Sequence, residues 1–182
     1  MTLISIRKAV PDDLADLVSI QLESWQRTYT DVLPDNYRHG AMAEDLQALW
    51  TEDRLAKDLV LVAEIEGRVA GLAGVILETE TRAYLDNLHV AKSDEGQGVG
   101  RKLMVATAQH ALALGRTVLH LTVVTGNARA LGFYEDLGGA RMAAITDAMF
   151  GHDVQAYPIY WEGSTLTRLA GLPGVAEQGR IL

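Results

Sequence analysis

A glycine-rich turn, Glu95-Gly96-Gln97-Gly98-Val99-Gly100, separates a predicted strand from a predicted helix. Unpaired amide N–H groups converge at a helix N-terminus, where the helix dipole also favours an anion. Glycines let the backbone approach a phosphate closely. Lys92, Arg101 and Lys102 add positive charge around the turn. The segment predicts a binding site for several phosphates, and a glycine-rich turn without a ligand is the alternative interpretation.

The spacing of this turn excludes two common phosphate motifs. The dinucleotide pattern GxGxxG requires a third glycine where the chain has Arg101, and no GxxxxGK[ST] string is present. The strand YLDNLHV (84–90) followed by EGQGVGRKLM (95–104) instead resembles the acyl-CoA-binding motif of the GNAT superfamily of N-acetyltransferases. The consensus (Arg/Gln)-x-x-Gly-x-(Gly/Ala) falls on Glu95, Gly98 and Gly100. Glu95 departs from this consensus, which has Arg or Gln at that position. An acidic side chain there would repel a pyrophosphate.

A second block supports the same resemblance. The strand TVLHLTVV (117–124) is followed by Asn127, Ala130, Phe133, Tyr134 and then Gly138-Gly139, which is similar to the Asn-x-x-Ala-x-x-Phe-Tyr-x-x-x-Gly block of the family. The predicted order of elements matches from about residue 4 to residue 162. The resemblance therefore implies a GNAT-like fold and acetyl-CoA as the cofactor.

The resemblance also implies site residues. In the family an amine attacks the thioester directly in a ternary complex, which needs no cysteine, and this chain has none. Tyr134 would protonate the thiolate of CoA, or else be a partly buried aromatic residue. The backbone of the strand, the amides of the turn and Asn127 would hold the cofactor through Leu88, His89, Val90, Glu95, Gly96, Gln97, Gly98, Val99, Gly100, Arg101, Lys102 and Asn127.

The base that frees the amine has several candidates. Period-two alternation places Asp86 on one strand face with Tyr84, Leu88 and Val90, beside the expected cleft. A solvated carboxylate is the alternative for Asp86. Tyr84 can reach the same space, and His89 and His120 titrate in a useful range, although a strand histidine is more often structural. The five histidines show no metal-ligand spacing, so we predict no metal site.

An aromatic segment runs from the end of the first helix into the following loop. By resemblance this segment lines the acceptor pocket. For Trp25, packing on the sheet is the alternative. The predicted substrate-binding residues are Trp25, Tyr29, Leu33 and Tyr84, with Pro34 and Tyr37 in the same segment.

The resemblance favours acetylation of a primary amine on a small molecule. Acetylation of a protein N-terminus or of a lysine side chain uses the same chemistry. A non-catalytic acyl-CoA sensor and a generic phosphate-binding domain are the alternatives from other classes.

Hydrophobic periodicity predicts a mixed α/β (α+β) single domain of order βααβββαβαββ, with a central, mostly antiparallel sheet flanked by helices as the resemblance implies. Strands are predicted at 1–9, 59–66, 69–77, 84–90, 117–124, 141–148 and 154–161. Helices are predicted from Pro11 to Tyr29, from Ala41 to Asp53, after Gly100 and near Asn127, with a loop over Thr30–Gly40. These elements must place the glycine turn beside Tyr134 and Asp86.

Composition narrows the class of protein. The 182 residues, 48% hydrophobic with a net charge of -8, suit one soluble domain and argue against nucleic acid as a partner. The longest uncharged apolar run, Val69–Leu77, is half the length of a membrane-spanning helix, and Arg7 and Lys8 interrupt any secretory apolar region. The absence of cysteine suits a reducing compartment, so we expect a cytoplasmic protein.

The segment 163–182 has no clear periodicity and is predicted to be a tail outside the catalytic domain of residues 1–162. We expect it to be loose or docked on a neighbouring subunit. A homodimer is a further expectation, formed through Val154–Trp161 and the apolar residues Leu166, Leu169, Leu172, Ile181 and Leu182.

Overall fold

The computed structural model describes residues 3–149 and 151–173. Its helices are α1 Leu14–Thr28, α2 Asp35–Arg38, α3 Met42–Leu49, α4 Glu52–Lys57, α5 Val99–Ala113, α6 Ala128–Asp136 and α7 Ser164–Ala170. Its strands are β1 Ile4–Lys8, β2 Leu59–Ile65, β3 Arg68–Ile76, β4 Arg82–Val90, β5 Val118–Val124, β6 Ala140–Arg141, β7 Ile145–Met149 and β8 His152–Glu162.

The strands form one sheet in the order β1-β2-β3-β4-β5-β8-β6, with β7 also paired to β8. All pairs are antiparallel except β4 and β5, which run parallel. The predicted mixed α/β fold with a mostly antiparallel sheet is therefore confirmed. Among the described helices, none is both long and apolar enough to cross a membrane.

Helices cover both faces of the sheet. The run LVLVA of β2 is apolar without alternation because each face of that strand is buried. Leu61 and Ala63 pack in the core that contains Leu103 of α5. Val60 and Val62 pack on the other side, in a cluster with Leu17 of α1. Burial on both faces explains why β2 lacks the polar positions of a half-exposed strand.

Strands β4 and β5 separate towards the carboxyl ends of both. They pair only over Arg82–Tyr84 and Val118–His120. Beyond this short ladder β4 continues to Val90 without a strand on that side, in the part of the chain that the structure describes. The separation opens a wedge in the sheet and leaves β4 backbone groups facing into it.

Strand β4 contains a bulge at Asp86, which is skipped between neighbouring pairs with β3. An extra residue reverses the faces of the residues that follow it. Leu88 and Val90 consequently pack against the core under α5, whereas His89 is bonded to α1. The alternation that placed Tyr84, Asp86, Leu88 and Val90 on one face is therefore wrong beyond the bulge.

Several short elements differ from the predicted order. Helix α2 forms inside the predicted loop, and α4 is a separate helix whose N-terminus is capped by Thr51, with Arg54 N donating to its Oγ1 at 3.2 Å. The predicted strand over 141–148 is divided into β6 and β7. Elements this short carry too few periodic positions to be recognised from sequence.

The C-terminal segment packs on its own chain. Leu166 and Leu169 of α7 are fully buried in the core with α5, and Gln109 Nε2 donates a hydrogen bond to Ala170 O at 2.9 Å. The expectation of a loose or partner-docked tail is therefore wrong for residues 163–173. Seven residues are too few to show a helical face in sequence, so the core and not the local pattern places this helix.

The expected dimer contacts are also used within the chain. Strand β8 is paired along one edge with β5 and along the other with β6 and β7. Leu166, Leu169 and Leu172 pack into the core of this chain. Ile181 and Leu182 lie outside the described residues. The homodimer stays a prediction, and the contacts of β8 and α7 no longer support it.

Candidate active site

Two cavities open where β4 and β5 separate. The first, which we call the polar cavity, has a volume of about 540 Å³ and is lined by Tyr84, Asp86, Asn87, Thr122 and Asp147. The second, the glycine-turn cavity, has a volume of about 460 Å³ and is lined by Glu95, Gly96, Gly98, Val99 and Gly100. The two cavities meet at residues that line both, namely Ser24, Thr28, Leu88, His89, Asn127, Ala130 and Tyr134.

The backbone geometry of the glycine turn suits an anion. Gly96 and Gly98 have φ values of 76° and 86°, in the left-handed region that side chains disfavour. Helix α5 begins at Val99, so the N–H groups of its first turn have no acceptor within the helix. These amides and the positive end of the dipole fit phosphate oxygens.

The predicted cofactor residues mostly gather along these cavities. Val90 and Arg101 line the glycine-turn cavity with the turn itself. The side chains of Gln97 and Lys102 turn elsewhere: Gln97 Nε2 donates to Ser93 O at 3.2 Å, and Lys102 Nζ donates to Ile4 O at 3.4 Å. The backbone N–H of Gln97 lies within the turn, whereas that of Lys102 lies in α5 and donates to Gly98 O at 3.1 Å. The cofactor contacts themselves stay predictions.

Asn127 caps the helix that carries Tyr134. Its Oδ1 accepts a hydrogen bond from Ala130 N at 3.1 Å, at the start of α6. This use of the side-chain oxygen satisfies one of the free N–H groups of the helix. The side-chain NH₂ group of Asn127 is left for the cavities that this residue lines.

Two arginines complete the glycine-turn cavity and were not predicted. Arg27, in the last turn of α1, and Arg129, in the first turn of α6, both line it. Arg27 Nη1 lies 3.0 Å from Glu95 Oε1, and Arg129 Nη1 lies 2.9 Å from Glu95 Oε2. The predicted cationic cluster of Lys92, Arg101 and Lys102 contributes only Arg101 to the lining. Arg129 lies within the sequence block that contains Asn127 and Tyr134. Its positive charge in that block could have identified it as a candidate phosphate ligand.

Tyr134 lies at the junction of the cavities. Its ring is buried and packs edge-on against Trp161, with centroids 5.9 Å apart, and against Phe133, with centroids 5.1 Å apart. Burial raises the pKa of the phenol well above its ordinary value. Tyr134 therefore keeps its proton at neutral pH, as a proton donor must.

Asp86 lines the polar cavity as predicted, but its carboxylate is held by the protein. Arg54 Nη2 and Asn87 Nδ2 each donate to Oδ2 at 2.6 Å. Gln21 connects this pair to α1, donating to Asn87 Oδ1 at 2.6 Å and accepting from Trp50 Nε1 at 2.7 Å. With both donors on Oδ2, Asp86 is better suited to fix a local negative charge than to take a proton there.

Asp147 is a second carboxylate of the polar cavity and was not predicted. Thr122 Oγ1 donates to Asp147 Oδ2 at 2.9 Å, and Tyr84 Oη lies 2.9 Å from Thr122 Oγ1. A carboxylate only accepts, so the one proton of Thr122 goes to Asp147, and Tyr84 must donate to Thr122. The oxygen of Tyr84 can then accept a proton from a group in the cavity.

His89 has both ring nitrogens engaged. Trp25 Nε1 donates to Nε2 at 3.2 Å, so the other nitrogen carries the proton, and Nδ1 lies 3.0 Å from Ser24 Oγ. Burial lowers the pKa of His89 to about 3, which makes the ring neutral at physiological pH. These contacts contradict the interpretation of His89 as the base.

His120 lines neither cavity. Its Nε2 lies 2.7 Å from Glu78 Oε2, and its ring stacks on Tyr160 with centroids 5.2 Å apart. The structural alternative for His120 therefore fits the geometry. In the described part of the chain, no group of three or more His, Asp or Glu side chains could hold a metal ion.

Three of the four predicted substrate residues line the polar cavity. Trp25 and Tyr29 meet edge-on with centroids 5.3 Å apart, and both border the cavity together with Tyr84. Leu33 does not: it is 3% exposed and packs in a small core cluster with Met42 and others. Its apolar side chain gains more from that core than from a polar cavity, so the assignment of Leu33 is wrong.

Comparison with known proteins agrees with this geometry. The model of the Acetyltransferase (GNAT) family matches residues 16–139. An uncharacterized N-acetyltransferase of Archaeoglobus fulgidus is 33% identical over 71% of this chain and 88% of its own length. The uncharacterized N-acetyltransferase YuaI of Bacillus subtilis is 23% identical over 87% of this chain and 93% of its own length.

A solved structure shows the same fold. PaiA N-acetyltransferase from Thermoplasma acidophilum, determined in complex with coenzyme A, superposes with a TM-score of 0.69 at 19% identity, covering 85% of this chain and 98% of that one. The family match spans both the glycine turn and the Asn127–Tyr134 block. The chain therefore belongs to the GNAT family of acetyltransferases, whose cofactor is acetyl-CoA.

Proposed function

We propose that this chain is an N-acetyltransferase that moves the acetyl group of acetyl-CoA to a primary amine of a small molecule, by direct attack in a ternary complex. The observation that carries the proposal is the junction at Tyr134, where an anion cradle meets a carboxylate-lined cavity. An acyl donor and a cationic amine need these two environments side by side.

The residues present fit the cofactor. The free N–H groups at the start of α5 and the arginines beside them suit its phosphates. Within the described residues, the edge of β4 that faces away from β3 has no partner strand over 88–90, so it can supply backbone groups for the amide-containing arm of the cofactor. When bound, acetyl-CoA supplies an acetyl group activated as a thioester.

The polar cavity supplies a path for the amine proton. An alkylamine has a pKa near 10.4, so freeing it at pH 7 costs about 4 to 5 kcal/mol. The oxygen of Tyr84 can accept that proton while its own proton passes to Thr122 Oγ1, whose proton passes in turn to Asp147 Oδ2. We assign Asp147 as the final acceptor, and Asp86 as a fixed anion that attracts the ammonium group.

Tyr134 is the proposed acid. Its buried phenol Oη holds a proton at neutral pH and lines both cavities, so it can donate to the sulfur that leaves the acetyl group and regain a proton from the attacking nitrogen as the amide forms. Donation at this stage prevents a free thiolate from reversing the reaction.

The size and charge of the polar cavity favour a small cationic amine. Its volume of about 540 Å³ lies in the range of small-molecule sites, roughly 300 to 1,000 Å³. Asp147 provides negative charge, to which Asp86 adds although Arg54 compensates part of its charge, and the aromatic rings of Trp25 and Tyr29 can contact a cation. A protein N-terminus or a lysine side chain is the second candidate acceptor.

The test is a thiol-release assay with acetyl-CoA and a panel of small primary amines, run beside peptides with a free N-terminus or a free lysine. We expect turnover of small amines that carry a second cationic group. Turnover of the peptides alone would assign the alternative acceptor. CoA binding in calorimetry without turnover of any amine or peptide would support the sensor hypothesis.

Two further expectations are carried as proposals. One is a cytoplasmic location, which the cysteine-free composition supports. A homodimer is tested by sedimentation at micromolar concentration, where a single species near 19.8 kDa would contradict it.

A further inference from the structure

Glu95 joins two cationic side chains across the glycine-turn cavity. Its Oε1 accepts from Arg27 at the end of α1, and its Oε2 accepts from Arg129 at the start of α6, at 3.0 and 2.9 Å. All three residues line the cavity beside Gly96 and Gly98. The carboxylate therefore lies within the cradle and uses the cations that an anionic ligand would seek.

The charge of Glu95 makes it a competitor of phosphate groups for Arg27 and Arg129. The hydrogen bond from Arg129 lowers the pKa of Glu95, burial opposes that effect, and the hydrogen bond from Arg27 reinforces it. Glu95 is thus an anion at neutral pH, and it repels phosphates while it occupies both guanidinium groups. Each arginine has further N–H donors, and guanidinium groups bind phosphate strongly.

We propose that Glu95 is an internal competitor of CoA: its carboxylate holds Arg27 and Arg129 in the free protein, and both guanidinium groups pass to phosphate oxygens when CoA binds. The inference rests on the role of this cavity in binding acetyl-CoA and not on the identity of the acceptor. It explains how an acidic residue is tolerated where the family resemblance places Arg or Gln, since two arginines neutralise it.

The test is calorimetric titration of the full chain with CoA, and separately with pantetheine, which lacks phosphates. Glu95→Gln and Glu95→Ala remove the competing charge, so we expect both to bind CoA at least fivefold more tightly than the wild type. Arg27→Gln and Arg129→Gln remove phosphate ligands and are expected to bind it at least fivefold more weakly. Binding of pantetheine should change less than twofold in all four variants.

A matched control is Glu135→Gln. Glu135 lies on α6 like Arg129 and forms an ion pair with Arg141 at 3.2 Å, but it lines neither cavity. Its removal changes the net charge as Glu95→Gln does, so a general effect of charge would appear in both variants. We expect the control to bind CoA within twofold of the wild type.

The proposal is overturned if the Glu95 variants do not bind CoA more tightly than the wild type. Equal or weaker CoA binding by both Glu95 variants would mean that Glu95 positions the arginines or only ties α1 to α6. Thermal unfolding of each variant separates a loss of folding from a loss of binding. A wild type that binds no CoA at millimolar concentration would instead overturn the cofactor assignment, and the proposed function with it.

Discussion

Replacement of Tyr134 by Phe removes the proposed proton donor and keeps the aromatic ring where the two cavities meet. The ring would keep its packing against Trp161 and Phe133. In the described residues the hydroxyl makes no hydrogen bond with the protein, so its removal leaves no buried partner unsatisfied. We expect the free energy of unfolding to change by less than about 1 kcal/mol, which moves the melting temperature by at most about 4 °C.

The rate should respond far more strongly. Loss of a positioned proton donor lowers turnover by roughly 10² to 10⁴, equivalent to about 2.7 to 5.5 kcal/mol of activation free energy. CoA binding should remain within about threefold, because the anion cradle does not depend on this hydroxyl. The assay is thiol release at saturating acetyl-CoA with the best amine of the panel, and calorimetry gives the CoA affinity separately.

Tyr157→Phe is the matched control, since Tyr157 lines neither cavity and its ring packs against the core and beneath the Arg141 guanidinium, at 5.1 Å. Turnover of Tyr134→Phe within threefold of the wild type would refute the role of Tyr134 as the acid. A fall in turnover that is matched by an equal loss of CoA affinity would refute it too, because the residue would then serve binding.

Three other predictions follow from particular contacts. Thr122→Val breaks the path from Tyr84 to Asp147, so kcat/KM should fall at least tenfold at pH 7 and recover as the pH approaches the pKa of the amine; a loss that is equal at every pH would contradict the path. Leu166→Ala should cost about 2 to 5 kcal/mol and lower the melting temperature by about 4 to 20 °C, while Leu114→Ala at an exposed site should change it little; equal effects would mean that α7 does not pack as described. His89 is neutral in the folded protein down to a pKa of about 3 but takes a proton below about 6.5 when unfolded, so acidification from pH 6.5 removes up to about 1.4 kcal/mol of stability per pH unit. His89→Asn should flatten that slope in denaturant titrations at pH 7 and pH 5, and an unchanged slope would place the ring in water.

Local patterns in the sequence predicted most of the backbone. The unbroken apolar run of β2 and the strand before the glycine turn are long enough to be recognised as strands. The turn itself was predicted to be an anion site, because two glycines with positive φ and a helix N-terminus are features of adjacent residues. Tyr134 was placed by resemblance, and α6 carries it to the cavity as expected.

Local sequence patterns could not predict the bulge at Asp86. Asp86 was predicted beside the cleft and does lie there, yet Leu88 and Val90 turn to the opposite core because β4 has one residue more than β3 at that point. Alternation assumes an unbroken ladder, and the partner strand alone determines where a ladder breaks.

The sequence by itself therefore determined the order of most elements, the glycine turn before α5 and the family resemblance, since each depends on residues close together in the chain. The tertiary structure decided which side chains share the cavities. Glu95 meets Arg27 and Arg129 across 68 and 34 positions, and Asp86 meets Arg54 across 32. Such pairs form because packing of α1, α4 and α6 on the splayed sheet brings opposite charges within hydrogen-bond distance, and no local pattern records that packing.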